Sequence, residues 1–341
     1  MGENGQVVLV PGVGKVKPLF EERGHRFLKA DERSEAGIYE VLMDAEAEAA
    51  GANLTESIFS PVPGGAQPVP EEVREGANGR SRRDLVPEAT SDEQLHLPPP
   101  IEGRQTGTKK IKASMSASAH VGHLRFTFPK GDAPYIFIQA TRQNWTGHVT
   151  IDPAKKEIYG NNPQRQDYAL GPSRAPGFSG YFVSRFSQPF ASHGITHGKI
   201  QSPGVSESTG EHLGAWVEFA PSTECVEVRT GVSFISVAQA RRNLDLEIPN
   251  GTTFEDTVAS LEEAWIEKLG RVSIEGVNVS DAEHDQRTTW YTGLFHALQY
   301  PADFSEPLEN ASGGLRAWYS GYTDSVHQGE DGYYQSWSIW V

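Results

Sequence analysis

Ile111-Lys112-Ala113-Ser114-Met115-Ser116-Ala117-Ser118-Ala119 alternates apolar and polar side chains without a break. A period of two predicts a half-buried β-strand, with one face on a core and the other turned outward. Leu124-Arg125-Phe126-Thr127-Phe128 repeats the pattern. Tyr135-Ile136-Phe137-Ile138 is apolar on both faces and reads as a central strand. Trp216-Val217-Glu218-Phe219, then Pro221-Ser222-Thr223, then Cys225-Val226-Glu227-Val228 reads as strand, turn, strand. Short strands separated by Gly and Pro turns favour a sandwich over a parallel sheet. The expected class is mainly β, with an antiparallel β-sandwich over residues 1–240 and a helical C-terminal part.

The helical part opens where the alternation stops. Ser236 with Gln239 three residues on has the capping-box spacing and starts a short helix through Leu244. Thr253 caps the next, in which Phe254, Val258, Leu261, Trp265 and Leu269 recur at helical spacing before Gly270. Ser280 with Glu283 starts a third, carrying Trp290, Tyr291, Leu294, Phe295 and Leu298 up to Pro301. Residues 241–279 thus read as a helical linker, and 280–341 as the start of a second, helical domain. Gly51 to Thr108 interrupts the sandwich. It is rich in Pro, Gly, Glu and Arg, contains Arg80-Ser81-Arg82-Arg83 and Pro98-Pro99-Pro100, and has no period, so a disordered insert or long solvated loop is expected there.

Composition narrows the partners. The 341 residues carry a net charge of −15, which disfavours nucleic acid and anionic membrane surfaces. No apolar run approaches the ~18 residues of a membrane span. The lone Cys225 excludes a disulfide within the chain and reads as a small buried hydrophobe on a strand. Sequons stand at Asn53, Asn144, Asn250, Asn278 and Asn310. The acidic start Met1-Gly2-Glu3-Asn4 is no signal peptide. Either the protein is cytoplasmic and the sequons idle, or it is secreted and its start is incomplete.

Familiar catalytic motifs are absent. Pro11-Gly12-Val13-Gly14-Lys15 fails as a phosphate loop, because Leu9 stands where Gly is needed and Val16 where Ser or Thr is needed. Gly177-Phe178-Ser179-Gly180-Tyr181 has the wrong spacing for a nucleophile elbow. His120 and His123 lie an odd number of residues apart on an expected strand and face opposite sides. His193 and His197 share a face but make only half a zinc site. Asp281, Glu283 and Asp285 at a helix start are explained by the helix dipole. Asp324, Glu330 and Asp331 flank the terminal run Tyr333-Tyr334-Gln335-Ser336-Trp337-Ser338-Ile339-Trp340. Flat rings beside polar groups suit the two faces of a sugar, although a helical core explains Trp318, Trp337 and Trp340 as well. A half-apolar aromatic run is an unusual terminus, and the expectation is that the chain stops inside a larger domain.

Several segments together resemble glycoside hydrolase family 92, most closely its fungal members. They are Gly231-Val232-Ser233-Phe234-Ile235-Ser236-Val237-Ala238-Gln239-Ala240-Arg241-Arg242-Asn243-Leu244, the stretch from Tyr291 to Glu306, and Tyr333 to Trp340. Asn161-Asn162-Pro163-Gln164-Arg165 with Gly180-Tyr181-Phe182-Val183 also fits. The resemblance covers roughly residues 10 to 45 and 109 to 340. It implies an exo-acting, inverting α-mannosidase with an N-terminal sandwich, a helical linker and an (α/α)6 barrel that holds a calcium ion. The substrate would be N-glycan mannose, with α-1,2 linkages the leading expectation. Where the family carries Asp after the final Trp, this chain has Val341. The acid, the base and the calcium ligands lie further on in the family. No catalytic or metal-binding residue is therefore expected in this chain, which is read as an inactive N-terminal portion with a truncated barrel. Tyr334, Trp337 and Trp340 are the expected edge of a mannose subsite, with packing inside the barrel as the other reading. The alternatives are a non-catalytic carbohydrate-binding sandwich and a purely structural fragment.

Overall fold

The computed structural model describes residues 7–19, 22–25, 27, 29–45, 109–141, 145–164, 175–274, 281–299, 302–308, 314–330 and 334–335. The insert expected over 51–108 lies outside them. Its strands are β1 (Val8–Val13), β2 (Glu32–Ser34), β3 (Tyr39–Asp44), β4 (Lys110–Ala117), β5 (Val121–Thr127), β6 (Pro134–Gln139) and β7 (Gly147–Asp152). They continue with β8 (Glu157–Asn162), β9 (Gly180–Phe186), β10 (Ser192–His197), β11 (Ile200–Pro203), β12 (Glu207–Gly210), β13 (Leu213–Glu218) and β14 (Cys225–Ser233). Three helices follow: α1 (Val237–Glu247), α2 (Phe254–Leu269) and α3 (Asp281–Ala297). Short strands close the chain: β15 (Ala302–Asp303), β16 (Glu306–Pro307), β17 (Arg316–Ser320), β18 (Ser325–Gly329) and β19 (Tyr334–Gln335).

A five-stranded sheet, β1-β6-β13-β10-β11, packs on a nine-stranded sheet, β12-β7-β8-β9-β14-β5-β4-β3-β2. The alternation in β4 does what its period requires. Ile111 and Ala113 point into the core and are fully buried. Lys112 and Ser114 point the other way, where Lys112 Nζ and Ser114 Oγ meet Glu40 Oε1 at 2.8 and 2.7 Å. Strand β6 lies between β1 and β13 and is buried on both faces. Ile136 and Ile138 enter the sandwich core, while Tyr135 and Phe137 pack outward with Val16 and Trp216. That double cover is why its sequence does not alternate.

The strand-turn-strand reading of 216–228 is met by β13 and β14, one in each sheet. The turn between them carries the chain across the core, so that Phe219 and Val226 end in the same buried cluster. Cys225 is exposed rather than buried. The inward positions of β14 are Val226 and Val228, and the pleat sends Cys225 to the other face.

The helices form a third layer on the outer face of the nine-stranded sheet. Helix α1 rests on β14, β9, β5 and β8, and α2 on β4 and β5. Two of the three expected caps are present: Ser236 Oγ accepts from Gln239 N, and Thr253 and Asp256 make a reciprocal capping box, while Ser280 lies outside the described residues. Helix α2 is pinned by Arg125, which donates to Glu255 at 2.5 and 2.9 Å and lies 4.5 Å over the Phe254 ring. The Arg125 hydrogen bond holds the Glu255 carboxyl down at about 2. Helix α1 is pinned by Glu157, which is 1% exposed and takes Arg185 at 2.7 Å and Arg241 at 2.9 Å. Beyond α3 the chain turns to short antiparallel strands. Trp318 therefore stands on β17, stacked on His327 across the hairpin, and not in a helical core.

The tightest contact of the outer layer is at Gly231. A Cβ there would sit 2.3 Å from Ala240 O and 2.8 Å from Leu244 Cβ. Gly231→Ala is expected to destabilise the fold by about 1–3 kcal/mol through overpacking. Gly122→Ala on β5 meets only Leu124 Cδ1 at 3.6 Å and is expected to stay within roughly 0.5 kcal/mol of wild type. Urea unfolding of both variants checks the difference.

Candidate functional site

The segment that turns β14 into α1 builds a buried polar junction. Ser233 Oγ accepts from Ile235 N at 2.9 Å and so shapes the turn. Gln239 and Asn243 stand one turn apart on α1 and face the same way. Gln239 Nε2 donates to Asn243 Oδ1 at 2.9 Å and to Pro307 O at 2.8 Å. Asn243 Nδ2 donates to Val232 O and to Glu306 Oε2, both at 2.8 Å. Phe234 N donates to the other Glu306 oxygen at 2.9 Å. Arg242 donates to Leu308 O. Residues 306–308 are thereby strapped to the end of the sandwich and to α1. Glu306 is 1% exposed, and burial raises its pKa against the lowering by Ser233, Asn243 and Phe234 N.

An aromatic row runs from this junction to the β17–β18 hairpin. Phe304 stacks on Phe234 at 5.7 Å, Phe234 meets Phe178 at 5.4 Å, and Phe178 meets Tyr319 edge-on at 6.0 Å. Asp324 fixes the far end. Its Oδ1 accepts from Tyr319 Oη at 2.6 Å and from Gly177 N at 2.9 Å. Asp324 adopts φ 50°, a left-handed backbone that Asp tolerates better than most residues. The hairpin tip leaves Tyr322 87% exposed.

One turn further along α1, Glu247 Oε1 lies 2.6 Å from His120 Nδ1, and Glu247 Oε2 takes Ser118 Oγ at 2.6 Å and His120 N at 2.8 Å. His120 Nε2 is buried and has no hydrogen-bond partner. Burial alone disfavours both charges. The hydrogen bond and Coulomb attraction between the two nevertheless raise the histidine and lower the carboxyl. Glu247 lines a cleft of about 680 Å³ shared with Ser118, Thr257, Trp265, Lys268 and Leu298.

The histidine candidates resolve as structural groups, while Asp331 and the side chains of Asp281, Glu283 and Asp285 lie outside what is described. His120 sits in the turn before β5 rather than on a strand. His123 is buried on β5, 2.8 Å from Thr257 Oγ1, and burial lowers its pKa. His193 and His197 do share a face, where their Nε2 atoms meet Ser206 and Ser208, both at 2.8 Å. Among the described residues no three His, Cys, Asp or Glu stand together to hold a metal. The backbone of Tyr334 pairs with Asp303, beside Phe304 in the aromatic row. Trp337 and Trp340 lie outside the described residues. Sequence reasoning missed Glu306 and the His120–Glu247 pair. The one available signal was that Glu306 and Asn243 both fall in segments already singled out.

The sequence matches the glycosyl hydrolase family 92 N-terminal domain over residues 1–233. This chain belongs to glycoside hydrolase family 92. The family's catalytic domain matches residues 239–341, so the boundary between the two falls between β14 and α1, at the Glu306 junction. An uncharacterized secreted glycosidase of Arthroderma benhamiae is 28% identical over 218 residues, covering 57% of this chain and 27% of that protein. The family 92 inverting mannosidase of Bacteroides thetaiotaomicron superposes with a TM-score of 0.68 at 20% identity, covering 97% of this chain and 34% of that one. A family 92 α-mannosidase from the same organism, solved with mannoimidazole, gives a TM-score of 0.62 at 18% identity over 98% of this chain and 35% of that one. The chain therefore spans about a third of the solved relatives, and they show its fold: a mainly β family 92 chain with its helices in the C-terminal part.

The His120–Glu247 pair gives this family 92 junction a pH window. The raised histidine contributes stability that is complete below about 6.5 and is lost as pH rises through its folded pKa. The lowered carboxyl contributes stability that is complete above about 4.5 and is lost as pH falls through its folded pKa. Thermal melts across pH are expected to show a loss above 6.5 in the wild type that His120→Gln flattens. An equal loss in the variant contradicts the assignment.

Proposed function

We propose that this chain is the scaffold portion of a calcium-dependent, inverting exo-α-mannosidase that trims N-glycan mannose, with α-1,2 linkages preferred, and that alone it releases no sugar. Family membership supports the reaction class. Solved relatives of the same fold are described as an inverting mannosidase and as an α-mannosidase with mannoimidazole bound. The relative described as a secreted glycosidase supports a secretory location.

The observation that carries the inactivity is where the buried carboxylates go. Inversion needs a carboxylic acid and a carboxylate base, roughly 6.5–9.5 Å apart, flanking a sugar and a water. Both Glu306 oxygens are occupied by Phe234 N and Asn243 Nδ2. Glu157 is held between Arg185 and Arg241, and Glu40 between Lys112 and Ser114. Glu247 is held by His120 and Ser118. None of these presents a carboxyl to a sugar.

Calcium takes six to eight oxygen ligands in the site that the family implies. The described residues do not fit it, because no group of three acidic or histidine side chains converges. No step in this chain is derived through the ion.

What the chain supplies is position. The junction seats the segment after α3 on the sandwich, and the β19 backbone pairs Tyr334 with Asp303. In this proposal Tyr334, Trp337 and Trp340 form the edge of a mannose subsite, and the resemblance of the terminal run to the family supports that reading. Incubating the chain with α-1,2-mannobiose, with and without a chelator, is expected to release no mannose in either arm. Chelator-sensitive release overturns the proposal. Saturable mannobiose binding without release favours the carbohydrate-binding reading.

A further inference from the structure

Of the chain's five sequons, Asn250-Gly251-Thr252 is the one whose acceptor lies among the described residues. It occupies the turn that joins α1 to α2. Thr252 N donates to Pro249 O at 3.2 Å, closing a four-residue β-turn. Gly251 takes φ 97°, the positive value that the third position of a type II turn demands. Asn250 is exposed and sits on the outer helical layer.

Its amide orientation is fixed by chemistry. Arg229 Nη2 lies 2.7 Å from Asn250 Oδ1, and Arg229 Nη1 donates to Ile248 O at 2.8 Å. A guanidinium carries donors only, so the amide must turn its oxygen toward Arg229. The amide nitrogen therefore lies on the far side of the amide carbon, away from the sheet. That nitrogen is the atom an oligosaccharide is attached to, and here neither burial nor a structural hydrogen bond to Arg229 claims it.

We propose that Asn250 is an acceptor for an N-linked oligosaccharide. The proposal rests on the secretory location given above. The donor class is a polyprenyl-pyrophosphate-linked oligosaccharide that begins with N-acetylglucosamine. In the transfer, Asn250 Nδ2 forms a bond to C1 of that sugar and gives up one proton. The bond from C1 to the pyrophosphate oxygen breaks, and the polyprenyl pyrophosphate leaves with the electron pair. Attachment precedes folding, so the folded chain must accommodate the glycan. An exposed turn does so without displacing a core group, and the Arg229 contact to Oδ1 survives the modification.

The test expresses the full chain behind a cleavable secretory leader in a eukaryotic host. Secreted and retained material are both treated with peptide N-glycosidase in heavy-oxygen water, and the peptide that contains residue 250 is examined by mass spectrometry. The label separates enzymatic release from the spontaneous deamidation to which Asn-Gly is prone, with an untreated sample as control. Wild type is expected to carry the heavy label at position 250. Thr252→Ala leaves Asn250 and its Arg229 contact in place and is expected to lose the label, as is Asn250→Gln. An unlabelled Asn250 in the wild type overturns the proposal, whether or not the other four sequons are occupied. A label that persists in Thr252→Ala overturns it too. Neither result bears on mannose release, so the acceptor and the mannosidase reading fail separately.

Discussion

Helix α1 can lie on β14 only because residue 231 has no side chain. The approach brings Ala240 and Leu244 against the strand and buries both completely. It also carries Gln239 and Asn243 to where they reach Val232 O, Pro307 O and Glu306. Without that contact the polar side chains of α1 would have no partners, and residues 306–308 would have nothing to dock on. The seating of α1, and with it the docking of residues 306–308, depends on that close contact, while Arg125 holds α2 separately.

The junction that results is polar and buried. Such a network is stabilising only when every member is satisfied, since an unpaired buried donor costs about 1–3 kcal/mol. Glu306 meets that condition with a backbone N–H on one oxygen and a carboxamide on the other. The same logic places Glu157 between two arginines and Glu247 against His120 and Ser118. A carboxyl used this way is unavailable for proton transfer to a leaving oxygen. These buried carboxyls tie elements together, and the aromatic row from Phe304 to Tyr319 continues the junction toward the hairpin.

Much of this was legible in the chain. The alternation in β4 and β5, the doubly apolar β6 and the caps at Ser236 and Thr253 are local signals, and local physics fixed them. The features left open are those that depend on distant partners. Whether β13 and β14 pair or arch across the core depends on the sheets they join, not on the turn between them. Cys225 was assigned by the usual burial of cysteine, whereas the alternation with Val226 and Val228 turns it outward. Strands of two residues, such as β15, β16 and β19, are too short to alternate at all. Glu306 looked like one acid among 45 Asp and Glu, because its partners stand more than sixty positions earlier.

The central claim is that Glu306 ties the segment after α3 to the end of the sandwich. Native-state hydrogen exchange at the Phe234 amide tests it most directly, since that N–H donates to Glu306 and not to a backbone carbonyl. The account predicts that Phe234 exchanges as slowly as the buried β14 amides and becomes fast in Glu306→Ala while β6 stays protected. A Phe234 amide that exchanges in the wild type as fast as the exposed turn residue Gly251 would contradict it.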